Sequence, residues 1–162
     1  ALLNDCKYGH GATDDDLSLT LIKTSHYPDE SGDVGEHEFS YALYPHMGDW
    51  REGNVIAEAY KFNMPAAAIS GVKAANTESL IKLDGKGAVI EAVKPAEDGN
   101  GTVVRLYECF GGRRTIKLKP SFEFNSAHIV NILEEELESV PVVDGEVELR
   151  LRPYQILSIR FC

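Results

Sequence analysis

The second half of the chain alternates apolar and polar residues with a period of two. In EVELRLR, Val147, Leu149 and Leu151 alternate with charged residues, which predicts a strand with one apolar face and one charged face. Similar alternation, rich in β-branched and aromatic residues, predicts strands at 88–94, 102–110, 114–119, 127–133 and 154–161. Gly, Asp and Asn mark turns between them at 84–87, 98–101, 111–112 and 144–145. Strands at this spacing predict an antiparallel β-sandwich over residues 77–162.

The first half of the chain is less regular. Alternation in DLSLTLIK and in HEFSYALY predicts two more strands, with a polar loop over residues 25–36 between them. After Trp50, apolar residues recur at helical spacing until Asn63 and Pro65, which predicts a short helix within residues 51–63. Residues 65–77 are expected to cross irregularly between two lobes, 1–76 and 77–162. The expected fold class is therefore mainly β with one short helix.

Composition indicates a globular protein. The 162 residues are 43% hydrophobic and 26% charged, without a run of about 18 apolar residues or a signal-peptide pattern, so neither a membrane-spanning nor a secreted protein is expected. A net charge of -10 and scattered basic residues disfavour a nucleic-acid partner. Three cysteines without a CxxC motif, Cys6, Cys109 and Cys162, indicate reduced thiols and a cytoplasmic location.

The first sixteen residues, ALLNDCKYGHGATDDD, concentrate chemically reactive side chains. A metallohydrolase site on Cys6, His10 and the run 14–16 is one interpretation, although zinc ligands normally come in short pairs and Cys6 with His10 is a single weak pair. The simpler interpretation is the end of a strand at residues 2–3, a turn over residues 4–11 and a solvated acidic loop before the next strand. The missing Met and the immediate apolar start lead us to expect a fragment of a longer chain.

Other motifs for catalysis or metal binding are incomplete. The acidic loop at 29–35 has Val34 and Ser40 where an EF-hand loop needs Gly and Glu. No GxSxG sequence is present, and the short glycine pairs at 9–11 and 85–87 do not extend into phosphate-binding motifs, so both are predicted to be turns. The sequon at 100–102 is interpreted first as a hairpin turn. No catalytic or metal-ligating residue is therefore predicted in this chain.

One aromatic cluster suits a sugar. HEFSYALYPHMGDW places Tyr44, His46 and Trp50 near the end of a predicted strand. Aromatic faces stack on the C–H groups of a sugar ring, while polar edges bind its hydroxyl groups. These three residues are the candidate carbohydrate contacts, and packing within the core is the alternative explanation for them.

Four ordered stretches, which together cover nearly the whole chain, resemble one enzyme family. They are ALLNDCKYG, HEFSYALYPHMGDW followed by the run 57–65, KPAEDGNGTVVRLYECFGG, and RLRPYQILSIRF. In this order they resemble the C-terminal region of glycoside hydrolase family 38 α-mannosidases of the bacterial and cytosolic kind. The resemblance implies that residues 1–76 close a large β-sandwich and that residues 77–162 form a smaller, immunoglobulin-like sandwich.

The resemblance also implies that the catalytic residues lie outside this chain. In the family, the nucleophilic aspartate, the acid/base and the His and Asp ligands of a catalytic zinc lie in an N-terminal α/β barrel, and none of those motifs is in this chain. The expected function is a non-catalytic accessory region of a zinc-dependent retaining α-mannosidase of carbohydrate metabolism, which supports the barrel and shapes the rim of the sugar site. The expected partners are this barrel and α-mannosides.

Two alternatives remain open, and both are of a different class. One is a free-standing carbohydrate-binding module that uses Tyr44, His46 and Trp50, and the other is the metallohydrolase on Cys6 and His10. If the first lobe lacks earlier strands of its sheet, its apolar face and strand edges are uncovered, so the isolated chain is expected to self-associate.

Overall fold

A computed structural model describes residues 1–71 and 79–162 of the chain. The chain falls into two compact units, residues 1–71 and 72–162. The predicted lobe boundary between residues 76 and 77 lies outside the described residues. In the described part of the chain, no helix is long and apolar enough to cross a membrane.

The first unit combines short antiparallel strand pairs with one helix in its described residues. The strand β1 pairs with β4, β2 pairs with β3, and the helix α1 packs beside β1. The elements are β1 (Leu2–Asn4), β2 (Gly9–Ala12), β3 (Leu17–Thr20), β4 (Tyr41–Leu43) and α1 (Val55–Asn63). Among the described residues of this unit, Leu3 alone is buried. The strands expected in DLSLTLIK and HEFSYALY and the helix expected within 51–63 are therefore present, each shorter than its predicted segment.

The strand β2 was not expected, because residues 4–11 were predicted to form a turn. Residues Gly9 and His10 instead pair with Thr20 and Leu19. The sequence GHGA has low β propensity, so pairing with β3 decides its conformation. The glycines permit a close approach, since a Cβ atom built on Gly11 would lie 2.5 Å from Ser18 Oγ.

The second unit contains two antiparallel sheets. In its described residues, one sheet has the order β10-β9-β13-β7-β6 and the other has the order β11-β12-β8-β5. The strands are β5 (Ile81–Asp84), β6 (Ala88–Pro95), β7 (Thr102–Glu108), β8 (Arg114–Pro120), β9 (Ala127–Val130), β10 (Glu136–Val140), β11 (Val142–Val143), β12 (Glu146–Leu151) and β13 (Ile156–Phe161).

The inward faces of these two sheets form one apolar core. Alternate residues of β7, β8, β12 and β13 supply it, and the core includes Leu106, Ile116, Leu118, Val147 and Ile159. Two further aromatic rings close it at one side, because Phe122 and Phe124 pack edge-on against Phe161 at centroid distances of 6.1 and 4.9 Å. The expected fold class, mainly β with an antiparallel sandwich, is confirmed.

Two segments at one edge of the sandwich differ from the prediction. The strand expected over 127–133 ends at Val130, because the Asn131 side chain accepts hydrogen bonds from the backbone N–H groups of Leu133 and Glu135 and so fixes a turn. The edge strand β10 follows and pairs with β9. It was not predicted because its sequence, ELESV, is polar and largely exposed, without the alternation of a half-buried strand.

Candidate functional site

The reactive residues near the start of the chain do not form a metal site. His10 Nε2 accepts a hydrogen bond of 3.0 Å from the Asn4 side-chain amide, which ties the ring to the neighbouring strand. A hydrogen bond with Asp5 raises the pKa of the Cys6 thiol, which disfavours the reactive thiolate. Among residues 1–71 and 79–162, no three His, Cys, Asp or Glu side chains are grouped so that they could hold a metal ion. The geometry therefore does not support the metallohydrolase interpretation.

The structure brings two of the three candidate sugar contacts together. The rings of Tyr44 and His46 lie 5.8 Å apart at an interplanar angle of 30°. The Tyr44 hydroxyl donates a 3.1 Å hydrogen bond to the carbonyl of Gly53, and a Cβ atom on Gly53 would lie 2.4 Å from His46 Nδ1. Both half-buried rings therefore pack on the segment that leads into α1.

The third candidate, Trp50, is exposed over 37% of its surface. It sits in a turn fixed by Asp49, whose side chain accepts hydrogen bonds from the backbone N–H groups of Arg51 and Glu52. The Arg51 guanidinium lies 4.3 Å from the centroid of the Trp50 ring. One face of the indole is thus in contact with a cation, and a sugar that stacked on that face would have to displace it.

Glu108 is a buried carboxylate of the sandwich, and it was not among the candidate residues predicted from the sequence. It is only 1% exposed, and its carboxylate accepts four backbone hydrogen bonds. Donors are the N–H groups of Phe110 at 2.9 Å, Gly111 at 2.9 Å, Gly112 at 3.2 Å and Tyr154 at 2.9 Å. The Arg114 Nε atom lies 3.6 Å from Glu108 Oε1 and adds a cation to the site.

The environment of Glu108 keeps the carboxyl group ionised. Burial acts to raise its pKa, but hydrogen bonds from the backbone N–H groups of Tyr154, Gly112, Phe110 and Gly111 outweigh burial, and the pKa lies below its ordinary value. The four N–H groups come from two loops, one at residues 110–112 and one at Tyr154. The Glu108 carboxylate therefore connects two of the stretches on which the family resemblance rests, KPAEDGNGTVVRLYECFGG and RLRPYQILSIRF. A signal for it was present in the sequence: the period of two that buries Val104 and Leu106 also places Glu108 on the core face, where a carboxylate needs partners.

A second ionic group fixes the hairpin between β6 and β7. The buried Arg160 donates hydrogen bonds to Asp98 Oδ2 at 2.7 Å and to the carbonyl of Asn100 at 2.8 Å. Hydrogen bonding from the backbone N–H of Asn100, with that from Arg160, lowers the pKa of Asp98. Nearby, Lys94 pairs with Glu134, which also accepts the backbone N–H of Glu97. These ion pairs and hydrogen bonds stabilise turns of the sandwich, because the partners of each charged side chain are other side chains and backbone groups of the same unit.

Comparison with known proteins gives this fold a family. Residues 87–159 match the family model described as Glycosyl hydrolases family 38 C-terminal beta sandwich domain. Alpha-mannosidase G of Dictyostelium discoideum is 33% identical over 99% of this chain, and alpha-mannosidase 2C1 of Homo sapiens is 35% identical over 98% of it. Alpha-mannosidase of Saccharomyces cerevisiae is 26% identical over 99% of the chain.

The chain corresponds to a small part of these relatives. It spans 16% of the length of the Dictyostelium discoideum and Homo sapiens proteins. The matched residues 87–159 lie within the two-sheet sandwich of the second unit, where Glu108 joins the loops at one end. The resemblance drawn from the four ordered stretches is confirmed, and residues 87–159 of the second unit belong to the C-terminal β-sandwich domain of glycosyl hydrolase family 38.

Proposed function

We propose that the chain is a non-catalytic C-terminal accessory region of an α-mannosidase and that it supports the catalytic domain. The observation that carries this proposal is the coverage: the likeness extends over 98–99% of the chain, yet the chain spans only 16% of proteins named alpha-mannosidase. Two buried charges, Glu108 and Arg160, bind backbone groups of their own unit, which supports a structural role for them.

The partner that we propose is the remainder of such an α-mannosidase, including its catalytic barrel. The first unit supports this proposal, because its strand β4 exposes large apolar side chains. Leu43 is 75% exposed and Tyr41 is 57% exposed, on alternate positions of the same strand. Exposed apolar side chains of this kind favour burial against a larger protein. When that protein is absent, we expect a second copy of the chain to cover them.

We further propose that the parent enzyme hydrolyses α-mannosides with retention and with zinc, in the cytoplasm, as part of mannose metabolism. The residues described in this chain do not fit the zinc ion, since no group of three His, Cys, Asp or Glu is available to hold it. The ion would therefore belong to the catalytic barrel. The cytoplasmic location is supported by three free thiols, Cys6, Cys109 and Cys162.

A domain exchange tests the accessory role. The segment of the Dictyostelium discoideum alpha-mannosidase G that matches this chain is deleted, or is replaced by residues 1–162, and hydrolysis of an aryl α-mannoside is measured for the parent and both variants. We expect the deletion to abolish activity and soluble expression, and we expect the exchange to restore both at least in part. A deletion variant with the parent's kcat and stability would contradict the proposal.

The isolated chain provides the second arm of this test. With added zinc, we expect no turnover of the aryl α-mannoside above background, because the described residues contain no group of three His, Cys, Asp or Glu that could hold the metal ion. Turnover above background by the purified chain would overturn the non-catalytic role.

The carbohydrate-binding module remains the second candidate, because Trp50 is exposed beside a turn that also holds the Tyr44 and His46 rings. Calorimetric titration with mannobiose tests it directly. If the chain is a module, Trp50→Ala abolishes binding, whereas the matched variant Tyr8→Ala, which removes a 92% exposed aromatic ring elsewhere, does not. If no heat of binding is measured at millimolar mannobiose, the carbohydrate-binding module is excluded and the accessory role is unaffected.

A further inference from the structure

Four arginines converge at one end of the four-stranded sheet. Arg113 and Arg114 are at the start of β8, and Arg150 and Arg152 are at the end of its neighbour β12. The two strands are antiparallel, with Leu151 opposite Arg114 and Arg150 opposite Thr115, so these ends coincide. The six residues of this arginine groove line an open depression of about 190 Å³; they are Arg113, Arg114, Thr115, Arg150, Leu151 and Arg152.

Most of this positive charge is not compensated. In the described part of the chain, Arg113, Arg150 and Arg152 make no side-chain ion pair or hydrogen bond, although the chain has 26 acidic residues against 16 basic ones. The other end of the same sheet face is different, because Lys117 and Lys119 both pair there with Glu146. Like charges on adjacent strands repel each other. The groove is therefore a local positive site on an acidic protein.

One arginine is held in place by the core. Arg114 lies with its Nε atom 3.6 Å from Glu108 and its guanidinium 5.4 Å from the centroid of the Phe110 ring. Its Nε atom is buried and has no hydrogen-bond partner among the described residues. The ionised Glu108 carboxylate at this distance compensates the Arg114 charge, so the uncompensated charge of the groove is that of Arg113, Arg150 and Arg152. Arg114 shares the core face of its sheet with its cross-strand partner Leu151, whereas Arg113, Arg150 and Arg152 are exposed, so these three supply the adjustable guanidinium groups of the groove.

We propose that the arginine groove binds a phosphate group. Guanidinium groups donate paired hydrogen bonds to the oxygens of phosphate or carboxylate. A phosphate carries about two negative charges and more acceptor oxygens than a carboxylate, so it uses several guanidinium groups and the Thr115 hydroxyl at once. The volume of about 190 Å³ is below that of a typical drug-sized pocket, which suits one small charged group. A nucleic acid would be repelled by the net charge of -10.

Titration of the ¹⁵N-labelled chain with inorganic phosphate tests the proposal by NMR at constant ionic strength. We expect saturable amide shifts centred on residues 113–115 and 150–152. Replacing Arg150 and Arg152 together by Gln removes two exposed cations without touching the Glu108 contacts, and we expect affinity to fall at least about tenfold. The matched control Lys119→Gln removes a cation from the same sheet face outside the groove and is expected to leave the affinity within about twofold.

Two further ligands, acetate and a hexose 6-phosphate, distinguish a phosphate site from a site for any small anion. Sodium acetate is expected to bind at least about tenfold more weakly than phosphate, because it carries one charge and two oxygens. A hexose 6-phosphate that binds as tightly as inorganic phosphate, or more tightly, supports the phosphate site and identifies whether the sugar contributes. Shifts spread evenly over the chain, acetate binding equal to phosphate binding, or equal weakening by Lys119→Gln would each overturn the proposal.

Discussion

The Glu108 carboxylate makes the sandwich depend on one buried charge. It holds residues 110–112 and Tyr154 at the same point, so two loops that are distant in sequence share one anchor. A buried carboxylate is tolerated only when its oxygens are hydrogen-bonded, and here each oxygen accepts two N–H groups. The cost of removing it is therefore expected to exceed that of an exposed carboxylate.

Replacement of Glu108 by Gln tests this anchor. The amide group of Gln has one acceptor oxygen and presents N–H donors toward backbone donors, so we expect the free energy of unfolding to fall by about 2–4 kcal/mol. The measurement is urea unfolding followed by circular dichroism at pH 7. Glu148→Gln on the exposed face of β12 is the matched control and should change stability by less than about 0.5 kcal/mol. If the two substitutions lowered the free energy of unfolding equally, the proposed role of Glu108 as an anchor of two loops would be wrong.

The lowered pKa of Glu108 also predicts a pH dependence with a definite sign. A carboxyl whose pKa is lower in the folded state stabilises the fold above its ordinary pKa, near 4.5, and this contribution is lost as the pH falls through the folded value. We expect the free energy of unfolding to decline below about pH 4.5 in the original chain and to decline less steeply in Glu108→Gln. Parallel pH profiles of the two proteins would show that Glu108 does not contribute.

At the level of elements, local turn chemistry accounts for the hairpins. The turn at 98–101 joins β6 to β7 and the turn at 144–145 joins β11 to β12, both where Gly, Asn and Asp predicted them. Asp144 and Gly145 both have positive φ, which these residue types tolerate. The strand β10 had no such local signal, because its position depends on pairing with β9.

The hairpin at 98–101 contains a matched pair of glycines for a test. Gly99 and Gly101 both have positive φ, but a Cβ atom on Gly101 would lie 2.1 Å from the carbonyl oxygen of Phe161, whereas Gly99 has open space around it. Gly99→Ala should cost about 1 kcal/mol from backbone strain alone. Gly101→Ala should cost at least about 2 kcal/mol more, because β13 must move.

The measurement for both glycine variants is the midpoint and slope of urea unfolding. We expect the midpoint of Gly101→Ala to lie well below that of Gly99→Ala, with similar slopes. Equal midpoints would mean that the hairpin shifts without cost and that its contact with Phe161 does not constrain the turn.

At the scale of the whole molecule, the two units differ in how completely they bury their apolar residues. The second unit has a continuous core between its sheets, whereas Leu3 is the one buried residue among those described in the first. Uncovered apolar surface favours association in proportion to its area. The first unit is therefore the expected site of contact with a larger protein or with a second copy.

Light scattering after size-exclusion chromatography tests this expectation on the isolated chain. We expect the average mass to rise above that of the 17.8 kDa monomer as the concentration increases. The double variant Tyr41→Ser and Leu43→Ser should shift the protein toward the monomer, because it removes exposed apolar side chains from β4. The control Leu133→Ser, at a residue of the second unit with 75% exposure, should not. A purely monomeric original chain at high concentration would contradict the prediction.

The sequence by itself determined the longer strands of the sandwich and the turns that depend on local residue types, but not the strands β5, β10 and β11. Alternation over five or more residues and Gly, Asn or Asp at turn positions are local properties, so β6, β7, β8, β12 and β13 could be recognised without the fold. The ordered stretches likewise carried the family. Only the tertiary structure decided that GHGA is a strand, that Glu108 anchors Tyr154 and that four arginines share one groove. These features depend on pairing between distant segments, which sets the partners of each residue and has no local pattern.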